Sequence, residues 1–160
     1  ALDRQKNPEA IPAAPDVAKL ELPAGPVSLD ELESKRLAAF FGVPVTHDGF
    51  IAAERVGAPV NGLRFPVAAK ILSRDIAHKT DVGGVKLGVQ DAAQLASVAT
   101  ELLANARKAR PEARITGVLA CEMVNDGLET IVGVVNDPAF GPVVALGIGG
   151  VFAESMRDVT

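Results

Sequence analysis

At 160 residues and 48% hydrophobic content the chain is large and apolar enough to close a core, as one domain or two small lobes. Its net charge of −4 is spread over interspersed acids and bases, and it contains no Trp or Tyr. It therefore offers neither the basic stripe nor the stacking rings expected of a nucleic-acid partner. No apolar run approaches bilayer-spanning length, and ALDRQKNPEAIPAAPDVAK lacks the apolar core of a signal peptide, so a cytoplasmic chain without a membrane partner is expected.

Residues 1–27 are rich in proline and small residues with little periodicity, and read as an extended linker. In SLDELESKRLAAFFG, Ser28 followed by Glu31 predicts a capping box. Leu29, Leu32, Leu37, Phe40 and Phe41 then form one broad apolar face that should be buried, with Gly42 and Pro44 as the stop. GFIAAERVG reads as a second short helix ending near Gly57, and APVNGLR as a loop. FPVAAKIL alternates as a strand, with Val67, Ala69 and Ile71 on one face and Ala68, Lys70 and Leu72 on the other. After a loop around His78, VKLGV is a short strand. DAAQLASVATELLANARKA is a helix capped by Asp91, with a stripe of Leu95, Val98, Leu102 and Ala106 and basic Arg107, Lys108 and Arg110 at its negative end.

RITGVLACEMV and LETIVGVV read as two strands of a hairpin turned by Asn125, Asp126 and Gly127. DPAFGP makes the next turn and VVALGI the next strand. The single cysteine, Cys121, excludes an internal disulfide and a multi-cysteine zinc site, and in GVLACEMV it reads as buried and inert. This order lacks strict βαβ alternation, which gives a mixed α/β or α+β protein.

Four groups of residues have chemical potential. Lys70, in mid-strand among small and apolar neighbours, either snorkels to water or holds an anion such as a nucleotide phosphate. In HKTDVGG, paired glycines let backbone N–H groups approach a phosphate and His78 could accept a phosphoryl group, but the same pattern also makes a polar turn. Glu122 and Glu129 flank a turn where an EMV shelf could meet adenine and a carboxylate could meet a ribose diol; two surface glutamates fit equally. Gly147 to Gly150 with Glu154 forms a further glycine-rich turn. His47 reads as a surface loop residue. No Walker, Rossmann, nucleophile-elbow or zinc motif occurs.

Taken in order, SLDELESKRLAAFFGVPV, FPVAAKILSRDIAHKTDVGGVKLGV, ITGVLACEMVNDGLETIVGVVNDPAFGPVVALGIGGVFAE and RDVT resemble the ATP-grasp domain of the NDP-forming acyl-CoA synthetases. These include the ADP-forming acetate–CoA ligases and, more distantly, the β subunit of succinyl-CoA synthetase. The resemblance implies an ATP-grasp fold with a first lobe over 28–124 and the start of a second over 125–160. It also implies that Lys70 contacts nucleotide phosphates, that Asp81, Gly83 and Gly84 belong to the loop over them, that Glu122, Met123 and Val124 form the adenine hinge, and that Glu129 holds ribose. His78 would relay phosphate.

The implied reaction interconverts acyl-CoA, phosphate and ADP with acid, CoA and ATP through an acyl phosphate and a phosphohistidine. ATP or ADP with Mg²⁺ is the implied nucleotide and metal pair, with the metal ligands expected beyond this stretch, and CoA is a substrate of the parent enzyme. CoA-binding and ligase domains, in the same protein or a partner subunit, are the implied partners, and an open sheet edge suggests a homo-oligomer. Asn136 stands where the family commonly has arginine, which removes one expected contact. The stretch by itself is expected to be inactive. Two alternatives are a regulatory nucleotide-sensing part of a protein acetyltransferase and a ligand-free interaction module in which Lys70 is salt-bridged.

Overall fold

Among the described residues of the computed structural model every strand pairing is antiparallel, in two sheets, which gives the α/β class without parallel crossovers there. The structure describes residues 16, 28–58 and 60–149; the expected linker, Asp16 apart, and Gly150 to Thr160, with Glu154, lie outside the described residues. The chain divides into two compact units, Ala1–Met123 and Val124–Thr160.

In the first unit, α1 (Glu31–Phe40) and β1 (Asp48–Ala52) lead to β2 (Val67–Leu72). A 3₁₀ turn (Thr80–Val82), β3 (Val85–Val89), α2 (Ala92–Ala109) and β4 (Gly117–Glu122) follow. The sheet order is β1-β4-β2-β3. Alternation sorts β2 as its sequence predicts. Val67, Ala69 and Ile71 join Val118 and Ala120 of β4 in the main core, while Leu72 joins Leu119 and Cys121 on the opposite face. Helix α2 covers the main-core face with Leu95, Val98, Ala99, Leu102, Leu103 and Ala106, all buried. Each such Leu or Val contributes about 1.5–3 kcal/mol of burial free energy. Its start is fixed by Asp91, whose carboxylate accepts from Gln94 N–H at 2.8 Å.

Three regions depart from the sequence expectations. Helix α1 starts two residues later than expected: its capping box is Asp30 with Glu33, each carboxylate accepting from the other residue's N–H at 2.9 Å. Its apolar face is not buried, for no residue of α1 is buried and Phe41 beyond it is 47% exposed; only Leu32 packs on the smaller cluster. Segment 48–52 is strand β1 rather than helix. Gly49 and Ile51 are buried while Phe50 between them is exposed, and pairing with β4 overrides the helical preference of the alanines.

The third correction concerns the hairpin across Asn125, Asp126 and Gly127. Strand β4 has both edges filled, by β1 and β2, so it has none left for the next strand. In the second unit β5 (Thr130–Asp137) instead pairs with β6 (Gly141–Ile148), in register from Thr130↔Ile148 to Asp137↔Gly141. The DPAFGP turn holds this hairpin, with the Asp137 carboxylate accepting from the N–H groups of Ala139 at 2.8 Å and Phe140 at 2.9 Å. Ile131, Val132, Val134 and Val135 of β5 are exposed.

Candidate functional site

The face of β2 opposite α2 carries the one charge in that strand. Lys70 is flanked by buried Ala69 and Ile71, and its ammonium donates to Glu31 Oε1 at 2.7 Å. The Lys79 ammonium approaches the other oxygen of the same carboxylate, Oε2, at 3.9 Å. Backbone bonds explain why two lysines nine residues apart in sequence converge. Gly84 N–H donates to Lys79 O at 2.8 Å, and Ile71 N–H donates to Gly84 O at 2.8 Å, which ties the turn to the strand beside Lys70.

The paired glycines serve this turn directly. Gly83 sits at φ 62°, in the left-handed region, and its N–H donates to Thr80 O at 3.0 Å. A Cβ on Gly84 would lie 2.9 Å from Lys79 O and 3.1 Å from Ile71 Cγ1. In this structure the N–H groups of both glycines donate inside the turn. What the turn presents outward is the exposed His78 imidazole, exposed Asp81 and the half-buried Lys79.

A second charged group adjoins this one under α1. The Lys35 ammonium donates to Asp48 Oδ2 at 2.8 Å, Asp48 Oδ1 at 3.0 Å, Thr46 Oγ1 at 2.8 Å and Cys121 Sγ at 3.4 Å. Burial alone would pull the Lys35 ammonium down, but its hydrogen bond to Asp48 and the surrounding negative charge outweigh burial and raise its pKa. Cys121 is buried as expected, and burial pushes its thiol up to about 11. Lys35 opposes that rise only in part, because Asp48 already neutralises it. At neutral pH the thiol is protonated and donates toward Glu31 Oε1 at 3.8 Å.

The hinge residues at the end of β4 are arranged differently. The Glu122 carboxylate accepts from Arg64 N–H at 2.9 Å and lies 3.0 Å from the Arg64 guanidinium, which holds its pKa below the usual value. Its own N–H donates to His47 O at 3.2 Å. Both polar ends of Glu122 are therefore committed within the first unit. Met123 beyond it is half-buried; in the second unit Val124 is 75% exposed, and the Glu129 side chain is exposed while its carbonyl accepts from Gly149 N–H at 2.8 Å. Among the described residues no three His, Cys, Asp or Glu side chains cluster so as to hold a metal ion, and no helix is long and apolar enough to cross a membrane.

Glu31, Lys79 and Arg64 have no site role in the sequence reading, where Glu31 serves only as a capping partner. Lys79 lies inside the HKTD motif, and its cationic side chain beside His78 was a readable signal. Glu31 gave none, because its partner is 39 residues away.

Among the described residues, an antiparallel sheet backed by α2, with the Lys70 and Lys79 ammonium groups converging on Glu31 and a separate hairpin unit following, defines an α/β protein. The ATP-grasp domain family matches residues 22–160, and the chain belongs to that family. Its relatives include ADP-forming acid–CoA ligases. The chain is 36% identical over 133 residues to subunit beta of the ADP-forming acetate–CoA ligase I of Pyrococcus furiosus, a match covering 82% of this chain and 57% of that subunit. Among solved structures it is similar to acetyl-coenzyme A synthetase 1 of Ca. Korarchaeum cryptofilum, described as dinucleotide forming, in complex with coenzyme A and Ca-AMPCP. That match has a TM-score of 0.70 and 36% identity, over 85% of this chain and 60% of that one. A second structure of that enzyme, with coenzyme A and Mg-AMPPCP and a phosphohistidine segment pointing towards the nucleotide binding site, matches with a TM-score of 0.60 and 34% identity, over 81% and 54%. The chain thus spans just under three fifths of the curated relative it matches.

Proposed function

We propose that the chain is the nucleotide-binding part of an acid–CoA ligase that forms ADP or another NDP, interconverting acyl-CoA, ADP and phosphate with acid, CoA and ATP. The observation that carries this reading is the convergence of Lys70 and Lys79 on one anion position beside a glycine turn. Two ammonium groups on a strand and a strand-anchored turn are fixed point charges, suited to neutralising and aligning the phosphates of a nucleotide. In this role Gly83 and Gly84 shape the turn rather than donate to the ligand, and Asp81 stands at its exposed rim. The proposed acceptor that takes and passes on a phosphoryl group is His78, which is exposed beside the same turn.

With the side chain and N–H of Glu122 engaged, adenine recognition at the hinge is proposed for the backbone of Glu122, Met123 and Val124. Glu129 is proposed as the ribose carboxylate. Magnesium, when bound with the nucleotide, supplies further charge neutralisation; none of its ligands is assigned to this chain. CoA, the CoA-binding and ligase domains, assembly with further copies and a cytoplasmic setting belong to the proposed parent enzyme.

The Lys70–Glu31 pair also favours a second reading, a ligand-free interaction module in which that lysine is purely structural. Calorimetry of ADP with Mg²⁺ on the intact protein separates the two. Binding that Lys70→Met abolishes supports the ligase reading, and absence of binding in the parent protein refutes it. For His78, γ-labelled ATP with the CoA-binding partner is the appropriate assay; unchanged phosphoryl relay in His78→Ala removes its role.

A further inference from the structure

Lys70 and Lys79 do not face an empty seat. The Glu31 carboxylate bridges them, one oxygen 2.7 Å from Lys70 Nζ and the other 3.9 Å from Lys79 Nζ. A single anion spanning two ammonium groups is the arrangement a phosphate would make there. We propose that Glu31 is an exchangeable counter-ion: its carboxylate occupies the anion seat of Lys70 and Lys79 and leaves when the phosphates of a nucleoside diphosphate enter. The proposal rests on the nucleotide-binding reading and adds to it a residue that sets how strongly phosphate must compete.

Three features make the exchange physically reasonable. The seat is open to a ligand, since the side chains of Lys70, Lys79 and Glu31 retain 29%, 22% and 21% exposure. Glu31 has no capping duty, because the box that starts α1 is made by Asp30 and Glu33. Its side chain can therefore turn away without unwinding the helix. Finally, α1 buries no residue of its own. Apart from Leu32 on the smaller apolar cluster, it is held by charge, through Glu31 to Lys70, Glu33 to Arg74 and Lys35 to Asp48, so releasing the first of these pairs leaves the other two in place.

Exchanging one anion for another also keeps the lysines paired throughout. Without Glu31, two ammonium groups would repel each other beside an apolar strand and the unliganded seat would lose its order. With it, the seat is preformed, and a ligand without phosphate has no means of displacing the carboxylate. Glu31 thereby lowers affinity for every phosphate ligand while leaving affinity for the nucleoside alone unaffected.

The test is calorimetry of ADP, adenosine and pyrophosphate on the intact protein as wild type, Glu31→Gln and Glu33→Gln. Glu31→Gln keeps the shape and removes the charge, and is expected to bind ADP and pyrophosphate about five-fold more tightly, or about 1 kcal/mol, with adenosine unchanged. Glu33→Gln loosens α1 at Arg74 without touching the seat, and is expected to match wild type. Equal or weaker ADP binding by Glu31→Gln overturns the exchange, as does an equal gain in Glu33→Gln, which would assign the effect to helix loosening. If neither wild type nor Glu31→Gln binds ADP but the variant gains pyrophosphate binding, the seat stands and the nucleotide reading fails. If nothing binds to either, both fail.

Discussion

Replacing Cys121 by alanine should flatten the loss of stability at alkaline pH. Burial raises this thiol from 9.0 to about 11. Between those values the unfolded chain has ionised its thiol while the folded chain has not. The stability is fully present below about pH 9 and is lost as pH rises toward 11. Each pH unit in that window removes about 1.4 kcal/mol per proton, so the two units amount to about 3 kcal/mol, of which about 2 kcal/mol is lost by pH 10.5. The chain has no tyrosine to titrate over the same range. Urea unfolding of wild type and Cys121→Ala at half-unit steps from pH 8 to 10.5 gives the slope directly, and any constant cost of the smaller side chain drops out of it. Parallel slopes would refute the burial argument. A wild-type thiol that reacts at pH 8 as fast as an unfolded one would do the same.

Gly84→Ala places a methyl group 2.9 Å from Lys79 O and 3.1 Å from Ile71 Cγ1; it should cost about 1–3 kcal/mol in urea unfolding and weaken ADP binding by displacing Lys79. Asp48→Ala leaves the half-buried Lys35 ammonium without its carboxylate and should cost about 1–3 kcal/mol, between the values for exposed and buried pairs; adding Lys35→Met should recover most of it in the same unfolding assay. Arg74 lowers the pKa of Glu33 by hydrogen bonding, so this carboxylate supports the fold above its unfolded value of 4.5 and loses that support as pH falls through its lower folded value. In Arg74→Met, acid unfolding followed by circular dichroism should therefore begin at higher pH than in wild type.

Residues that report their own environment could be read in advance. Strand β2 shows its two faces by alternation, and α2 shows its buried stripe and its Asp91 cap. The start of α1 was ambiguous because Ser28 with Glu31 and Asp30 with Glu33 fit the same capping pattern, and only the distant partners Lys70 and Arg74 favour the second. The missed strand β1 owes its existence to β4, which lies 71 residues away in the pairing of Gly49 with Ala120 and 65 in that of Ala52 with Gly117. The hairpin misassignment has the same origin, since turn chemistry at Asn125 to Gly127 says that the chain can reverse but not which edge is free. At the site, Lys70 stood out as a charge in an apolar strand. The carboxylate that holds it did not, because an acid in the first turn of a helix needs no further explanation.

Strand β2 is hydrogen-bonded along both edges, to β4 and to β3. A single-residue insertion before Lys70 would exchange its faces, sending the ammonium under α2 among Val98 and Leu102 and turning Ile71 outward. The location of the charge is thus inherited from the sorting of its apolar neighbours. Evolution can alter what meets this lysine by changing α1 or the glycine turn, whereas moving the lysine itself would require rebuilding the sheet.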